Sequence, residues 1–177
     1  MSVYTASEDS FLLEQNIPSD LAGKKVLEIG CGSGIISVIA ARNGADVAAV
    51  DINHEAVKAT KKLAELSGFK IKALKSDLFE KVRGKFDLIV FNPPYVACEC
   101  ERLEGEEAWA GGKDGRELID RFLKEFKKHL TKNGEALLLV SSQNKIKNEL
   151  ERDNWLCVDF LKLGDEELFI MRYKNAD

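Results

Sequence analysis

Proline is scarce in this chain: 177 residues hold three, two of them adjacent at Pro93-Pro94. Internal repeats and low-complexity tracts are missing as well, so nothing points to a fibrous or disordered polymer. Cysteine is almost as rare. Cys31, Cys98, Cys100 and Cys157 form no C-x-x-C pair, and Cys98-x-Cys100 without a nearby histidine makes a poor zinc site. Buried or incidental thiols are the better reading, and no metal site is expected. The longest apolar run, Gly34 to Arg42, is interrupted by Ser37 and falls far short of the roughly 20 residues of a membrane span. The N-terminus, Met1 to Asp9, has neither a basic start nor an apolar core; that argues against a secretion signal and makes a cytoplasmic location the expectation. Basic charge is not in excess. Lys and Arg number 26 against 30 Asp and Glu, a net charge of −4, which speaks against a broad phosphate-binding surface and makes direct nucleic-acid binding an unfavoured expectation. A local basic groove remains compatible with that total. What is present is ordinary for a globular protein: 45% hydrophobic and 32% charged residues, and a length that suits one domain with a real core over residues 1–177.

From Lys25 onward, short apolar β-type runs alternate with helical stretches, the pattern of an α/β domain with a parallel sheet. The expected strands are 26–29, 47–51, 71–74, 86–91 and 136–140, then two more at about 155–161 and 167–173, joined as a hairpin at Gly164-Asp165. Helices are expected over 35–42, closed by Gly44, and over 54–66, capped by Asn53 and ended by Gly68. A third covers 114–130, where Leu118, Ile119, Phe122, Leu123, Phe126 and Leu130 recur at helical spacing, and a fourth lies around 145–151. Asn133-Gly134 reads as a turn into the fifth strand. Residues 96–113 read as a long irregular insertion, a kind of loop that is usually functional or mobile.

Glu28-Ile29-Gly30-Cys31-Gly32-Ser33-Gly34 ends the first strand and opens a helix. Glycines there let the backbone turn sharply and approach a ligand, with free helix N–H groups facing it. A dinucleotide fingerprint would be G-x-G-x-x-G, but position 35 is Ile, so Gly30, Gly32 and Gly34 give G-x-G-x-G instead. Glu28 places negative charge where a pyrophosphate would lie, which suits a cationic ligand such as a sulfonium amino acid. Asp51, about 20 residues on at the end of the second strand, is placed to accept two hydrogen bonds from ribose hydroxyls, with Ile52 beside it. A tight structural turn with a surface Asp is hard to sustain for both features together. Asp77 and Leu78, after the third strand, are candidates for the adenine, with Asp77 accepting from the exocyclic amine; the bland alternative is a cap or turn aspartate.

Asn92-Pro93-Pro94-Tyr95 follows the fourth strand at the carboxyl edge of the sheet, where α/β ligand crevices lie. Consecutive prolines fix φ and remove two N–H donors, leaving carbonyls as uncommitted acceptors. Asn92 adds an amide oxygen, and Tyr95 an aromatic face for a planar group. Acceptors beside a stacking face match an amide or the exocyclic amine of a base. A sulfonium methyl is already activated, so the expected chemistry is positioning: the acceptor nitrogen is held in line with the S–CH3 bond while acceptors on its hydrogens disperse developing positive charge. Asn92, Pro93 and Tyr95 are the candidate catalytic residues, and Asn92 also borders the cofactor. A rigid loop with a stray Asn is the alternative.

These motifs resemble the HemK-like glutamine methyltransferases that act on class I translation release factors. The resemblance rests on Val26 to Gly34, Asp51, Asn92-Pro93-Pro94-Tyr95-Val96 and Trp109-Ala110-Gly111-Gly112-Lys113-Asp114-Gly115-Arg116. The segment Tyr4 to Leu13 is similar to that family's Tyr-x-Pro-Ala-Glu-Asp-Thr-Phe-Leu-Leu, with Thr5 and Ser7 departing from the pattern and Ser10 standing for Thr. The short eukaryotic and archaeal branch looks closest. The resemblance implies a Rossmann-like class I fold, with a seven-stranded, mostly parallel sheet ending in an antiparallel hairpin. It further implies S-adenosylmethionine as methyl donor (S-adenosylhomocysteine as product) and methylation of the glutamine in a Gly-Gly-Gln motif. Glu8, Asp9 and Ser10 would close the cofactor pocket; equally, an acidic first turn favours a helix N-terminus, and both can hold at once.

A small zinc-binding activator that forms a heterodimer is implied as well. In the strand order of this fold the strand Ile71 to Leu74 lies at a sheet edge, a template for a partner's strand. The competing enzymes are an amino-directed nucleic-acid methyltransferase acting on adenine or guanine and a protein lysine methyltransferase. The five Glu of 96–113 against Arg102 and Lys113 are unfriendly to phosphate, and a lysine ammonium lacks the planarity that Asn92 to Tyr95 suits. A non-enzymatic nucleotide-binding subunit would show degraded motifs, whereas here both are intact.

Overall fold

Strands buried on both faces must be apolar at nearly every position, and Val26-Leu27-Glu28-Ile29 and Leu88-Ile89-Val90-Phe91 meet that demand with one exception, Glu28. A computed structural model describes residues 8–95 and 114–176. Its elements run α1 (Glu8–Gln15), β1 (Lys25–Ile29), α2 (Ile35–Arg42), β2 (Asp46–Asp51), α3 (His54–Leu66), β3 (Ile71–Lys75), β4 (Phe86–Phe91), α4 (Glu117–Glu125), β5 (Leu130–Ser141), α5 (Lys147–Arg152), β6 (Trp155–Leu163) and β7 (Glu166–Lys174). The seven strands form one sheet in the order β3-β2-β1-β4-β5-β7-β6. β3 through β5 are parallel neighbours, and β7 joins β5 and β6 antiparallel. The expected α/β architecture with its terminal hairpin is therefore present, and β3 is an edge strand. Among the described residues no helix is long and apolar enough to cross a membrane.

Side chains alternate across the pleat, so neighbouring residues feed two cores. Val26, Leu88, Val90, Leu137, Leu139 and Ile170 pack against α1 and α2 through Leu12, Leu13, Ile36 and Ile39. Leu27, Ile29, Ile89, Phe91, Leu138 and Met171 face the opposite layer, where Ile119 and Phe122 of α4 and Leu150 of α5 cover them. Phe126, Trp155 and Tyr173 close that layer, with ring centroids 5.1 to 5.5 Å apart. Each fully buried side chain of this size contributes roughly 1.5–3 kcal/mol by removal from water. Asn53 caps α3 as expected, its Oδ1 accepting from the Glu55 N–H at 3.0 Å.

Three element boundaries differ from the expectation, each for a local reason. The helix over 114–130 begins only at Glu117, because Gly115 sits at φ +66°, and its end tightens into a 3-10 turn over Phe126–His129. Asn133-Gly134 is not a turn before β5 but an irregularity inside it. Leu130 already pairs with Phe86, and the register then jumps to Leu88 opposite Glu135 while Asn133 takes φ +61°. α5 starts at Lys147 after a 3-10 turn over Ser142–Asn144, since Lys145 is left-handed at φ +54°.

Candidate active site

Parallel register aligns the carboxyl ends of four strands. Ile29 lies opposite Val50 and Phe91, and Asp51 opposite Lys75. The residues that follow, Gly30 to Gly34, Asp51-Ile52, Ser76 to Leu78 and Asn92 to Tyr95, therefore meet along one edge of the sheet. Backbone bonds lock the junctions: Cys31 donates to the Val50 carbonyl at 3.0 Å and Ser76 to the Asp51 carbonyl at 2.9 Å.

The glycine-rich turn is held to β2 by Asp51. One carboxylate oxygen accepts from the Gly32 N–H at 3.0 Å and the other from the Asn53 N–H at 2.8 Å. Gly34 has no substitute: it lies at φ +85°, and a Cβ there would come within 2.7 Å of the Thr60 Cα. Glu28 is buried at 6% exposure and accepts a hydrogen bond from the Ser37 hydroxyl. Burial pushes its carboxyl up to about 8, against which the Ser37 contacts act, with the Asp51 charge adding to the rise. Burial raises Asp51 as well, opposed by the Gly32 and Asn53 N–H bonds. Two carboxyls held above their ordinary range beside an open glycine turn form an environment that a cation relieves and a phosphate aggravates.

Asp9, from the first turn of α1, is 3% exposed. Its Oδ1 accepts from the Ser10 N–H at 2.6 Å, and its Oδ2 accepts from Asn92 Nδ2 at 3.0 Å. The amide of Asn92 is thereby oriented by its nitrogen, and its Oδ1 is buried with no hydrogen-bond partner among the described residues. A buried acceptor left unmade costs about 1–3 kcal/mol, so this oxygen is a candidate to take a donor that the described residues do not supply. Pro93 is buried, and Tyr95 is half-buried against the α1 and α2 side of the sheet. The expectation of uncommitted carbonyls in this run does not extend to Tyr95, whose carbonyl accepts from Asn144 Nδ2 at 2.8 Å.

Other expected residues fall less centrally. Glu8 is exposed, and Ser10 is buried behind Asp9 rather than facing outward. Ile52 is 39% exposed beside Asp51. Leu78 adopts φ +42°, and its carbonyl accepts from the Ser76 hydroxyl at 3.1 Å. Asp77 neither caps a helix nor points unengaged at the site: its Oδ2 accepts from Arg121 Nη2 of α4 at 2.8 Å. Asp77, Leu78, Phe79 and Arg121 help to line a cavity of about 120 Å³. Arg121 was not foreseen, and only its place on the exposed face of a predicted helix hinted at it. Cys98, Cys100 and Trp109, with the rest of 96–113, lie outside the described residues, as do Thr5 and Ser7.

The donor set passes a test for an S-adenosyl cofactor. Acidic groups at Glu28 and Asp51 suit a sulfonium amino acid and a ribose diol, the turn from Gly30 to Gly34 leaves room for close approach, and a cavity adjoins Asp77. Comparison with known proteins agrees. The family model described as the methyltransferase small domain matches residues 5–154. A protein of Methanocaldococcus jannaschii, named as a candidate protein N5-glutamine methyltransferase, is 48% identical over 144 residues, 79% of this chain and 73% of that one. The mouse methyltransferase HEMK2 is 36% identical over 196 residues, 98% of this chain and 90% of that one. Among solved structures, the Mtq2–Trm112 complex of E. cuniculi, described as responsible for methylating the eRF1 translation termination factor, superposes with a TM-score of 0.74. It shows 26% identity and 99% coverage of both chains.

Proposed function

The chain belongs to the methyltransferase small domain family, and on that premise we propose that it methylates the side-chain amide nitrogen of the glutamine in a Gly-Gly-Gln motif of a class I peptide chain release factor. The observation that carries this reading is the Asn92 amide, tied through its nitrogen to Asp9 and presenting at the carboxyl edge of the sheet a buried oxygen that has no partner among the described residues. An amide acceptor brings an N–H that such an oxygen can take, and a planar face that Tyr95 can stack on. Relatives named for glutamine methylation support the same substrate class. Residues 1–177 act as a single methyltransferase domain, and its place of work is the cytoplasm.

S-adenosylmethionine supplies a methyl group already activated by its sulfonium charge. Glu28 and Asp51 would hold its amino-acid and ribose parts, Gly30, Gly32 and Gly34 would admit it close to the backbone, and Ile52, Asp77 and Leu78 would flank its base. From α1, Asp9 would close the pocket through its bond to Asn92, with Ser10 buried beside it and Glu8 at the exposed start of the helix. At the acceptor side Asn92 Oδ1 takes one N–H, fixing the direction of the nitrogen lone pair and spreading positive charge as the N–C bond forms. Transfer would leave the electron pair of the S–C bond on sulfur, and one N–H proton of the amide would pass to water. Pro93 holds the run rigid and Tyr95 supports the planar group.

A small zinc-binding activator protein adds a strand to β3. That edge offers Ile71 and Leu74, both half-buried, and α3 packs on it, ending in Leu66 at 76% exposure. An unpaired edge beside exposed apolar surface is a docking template, and the Mtq2–Trm112 pair supports a partner of this kind. The test is transfer of labelled methyl from S-adenosylmethionine to a release factor, with and without the activator, and in parallel to total RNA. Label in the release factor, raised by the activator, is the expected result. Label confined to RNA overturns the substrate assignment, and full activity and solubility alone overturn the partner.

A further inference from the structure

Asn144 is a polar side chain at 1% exposure that the proposed chemistry leaves unused. It ends the 3-10 turn after β5, and its amide is fully engaged. Oδ1 accepts from the Ser141 N–H at 2.8 Å; Nδ2 donates to the Tyr95 carbonyl at 2.8 Å and to the Asp114 carbonyl at 3.2 Å. One side chain therefore bonds three backbone groups far apart in sequence, including both described residues that flank 96–113. The fit is tight: a Cβ on Gly115 would meet the Tyr95 carbonyl and come within 2.6 Å of Asn144 Nδ2. Next to this contact Arg116 grips Glu149 of α5 with two nitrogens, at 3.0 and 2.8 Å.

We propose that Asn144 is a positioning residue for methyl transfer: by holding the Tyr95 carbonyl it sets the peptide plane at the end of the acceptor-binding run. The prolines fix φ at positions 93 and 94 but leave ψ to the surroundings, so the run needs an anchor at each end. At Asn92 Asp9 holds the side-chain amide, and at Tyr95 Asn144 holds the backbone carbonyl. This assignment rests on the reading of Asn92 to Tyr95 as the acceptor site. A misplacement of about 1 Å in such a constellation costs on the order of 10²-fold in rate.

The test compares the wild type with Asn144→Ala and Asn144→Asp. The aspartate keeps the acceptor for Ser141 but turns an oxygen toward two carbonyls, so it should be no better than alanine. Three quantities are read: S-adenosylmethionine affinity by calorimetry, single-turnover rate on the release factor at saturating cofactor, and hydrogen exchange of the Leu88–Tyr95 peptide, in which Asn92 and Tyr95 carry the amide hydrogens that Pro93 and Pro94 lack. The expectation is cofactor affinity within about 2-fold, a rate loss of at least about 10-fold, and faster exchange confined to this peptide and the 114–116 region. A rate that falls only in step with cofactor affinity and thermal stability makes Asn144 merely structural and overturns the proposal, as does unchanged exchange at Tyr95. An inactive wild type whose variants still exchange faster sinks the substrate assignment instead and leaves the anchoring of Tyr95 standing.

Discussion

Glu28→Gln isolates the one acidic side chain that, among the described residues, is buried inside a strand. The wild-type carboxyl stands at about 8 in the folded chain, raised from 4.5 chiefly by burial. A folded-state value above the unfolded one means that the native state binds more protons, so stability is fully present below about pH 4.5 and falls as pH rises toward 8. The slope approaches about 1.4 kcal/mol per pH unit inside that window. Between pH 5.5 and 7.5 the ligand-free protein should therefore lose roughly 2–3 kcal/mol on account of Glu28 alone. Glutamine is neutral in both states and keeps an oxygen for the Ser37 hydroxyl, so its stability should not follow that fall. Urea titrations of both proteins at the two pH values read the difference directly. The linkage extends to the ligand: a bound cation favours the ionised carboxylate, so cofactor binding at pH 7 should release close to one proton per site in the wild type. Binding should also tighten toward pH 9, and both effects should shrink in Glu28→Gln. Parallel stability curves for the two proteins, or proton release that the substitution leaves intact, would refute the assignment of Glu28 as a buried acid facing a cation.

Asn92→Asp sets a carboxylate against Asp9 and removes the donor that orients the amide; a fall in rate on the order of 10²-fold is expected, with cofactor binding by calorimetry much less affected. Gly34→Ala forces a side chain into φ +85° against Thr60, which should destabilise by about 1–3 kcal/mol from the backbone conformation alone and abolish the thermal shift given by S-adenosylmethionine. Arg121→Met removes the partner of Asp77. The pair is 42% and 28% exposed, so the loss of stability should stay below about 1 kcal/mol, while cofactor affinity falls several-fold because Asp77 loses its fixed direction.

What could be read from the sequence was what local physics decides. The span of α3 is marked by Asn53 before it and Gly68 after it, both acting within a turn. β4 announced itself by a run of apolar residues that only a doubly covered strand needs. The glycine spacing and Asp51 were legible because a strand end followed by a turn fixes where its next residue stands. The contacts that complete the site were not legible, because they join residues distant in sequence: Asn92 with Asp9 at a separation of 83, Tyr95 with Asn144 at 49, and Arg121 with Asp77 at 44. Nothing in the spacing of Ser142-Gln143-Asn144 distinguishes an anchoring amide from a solvated turn. Boundaries slipped where one residue holds a left-handed conformation, as at Gly115, Asn133 and Lys145, since such a residue interrupts a pattern that hydrophobic periodicity alone would carry through.

Everything proposed for Asn92 to Tyr95 depends on the acceptor being an amide nitrogen of a protein glutamine. The most direct measurement locates the methyl group by fragment mass spectrometry after incubation with S-adenosylmethionine and a class I release factor. A parallel substrate carries Arg in place of the motif glutamine. One added methyl is expected on that glutamine's side-chain nitrogen, absent from the Arg substrate and strongly reduced with Asn92→Asp. A methyl on lysine, or one that persists in the Arg substrate, would contradict it.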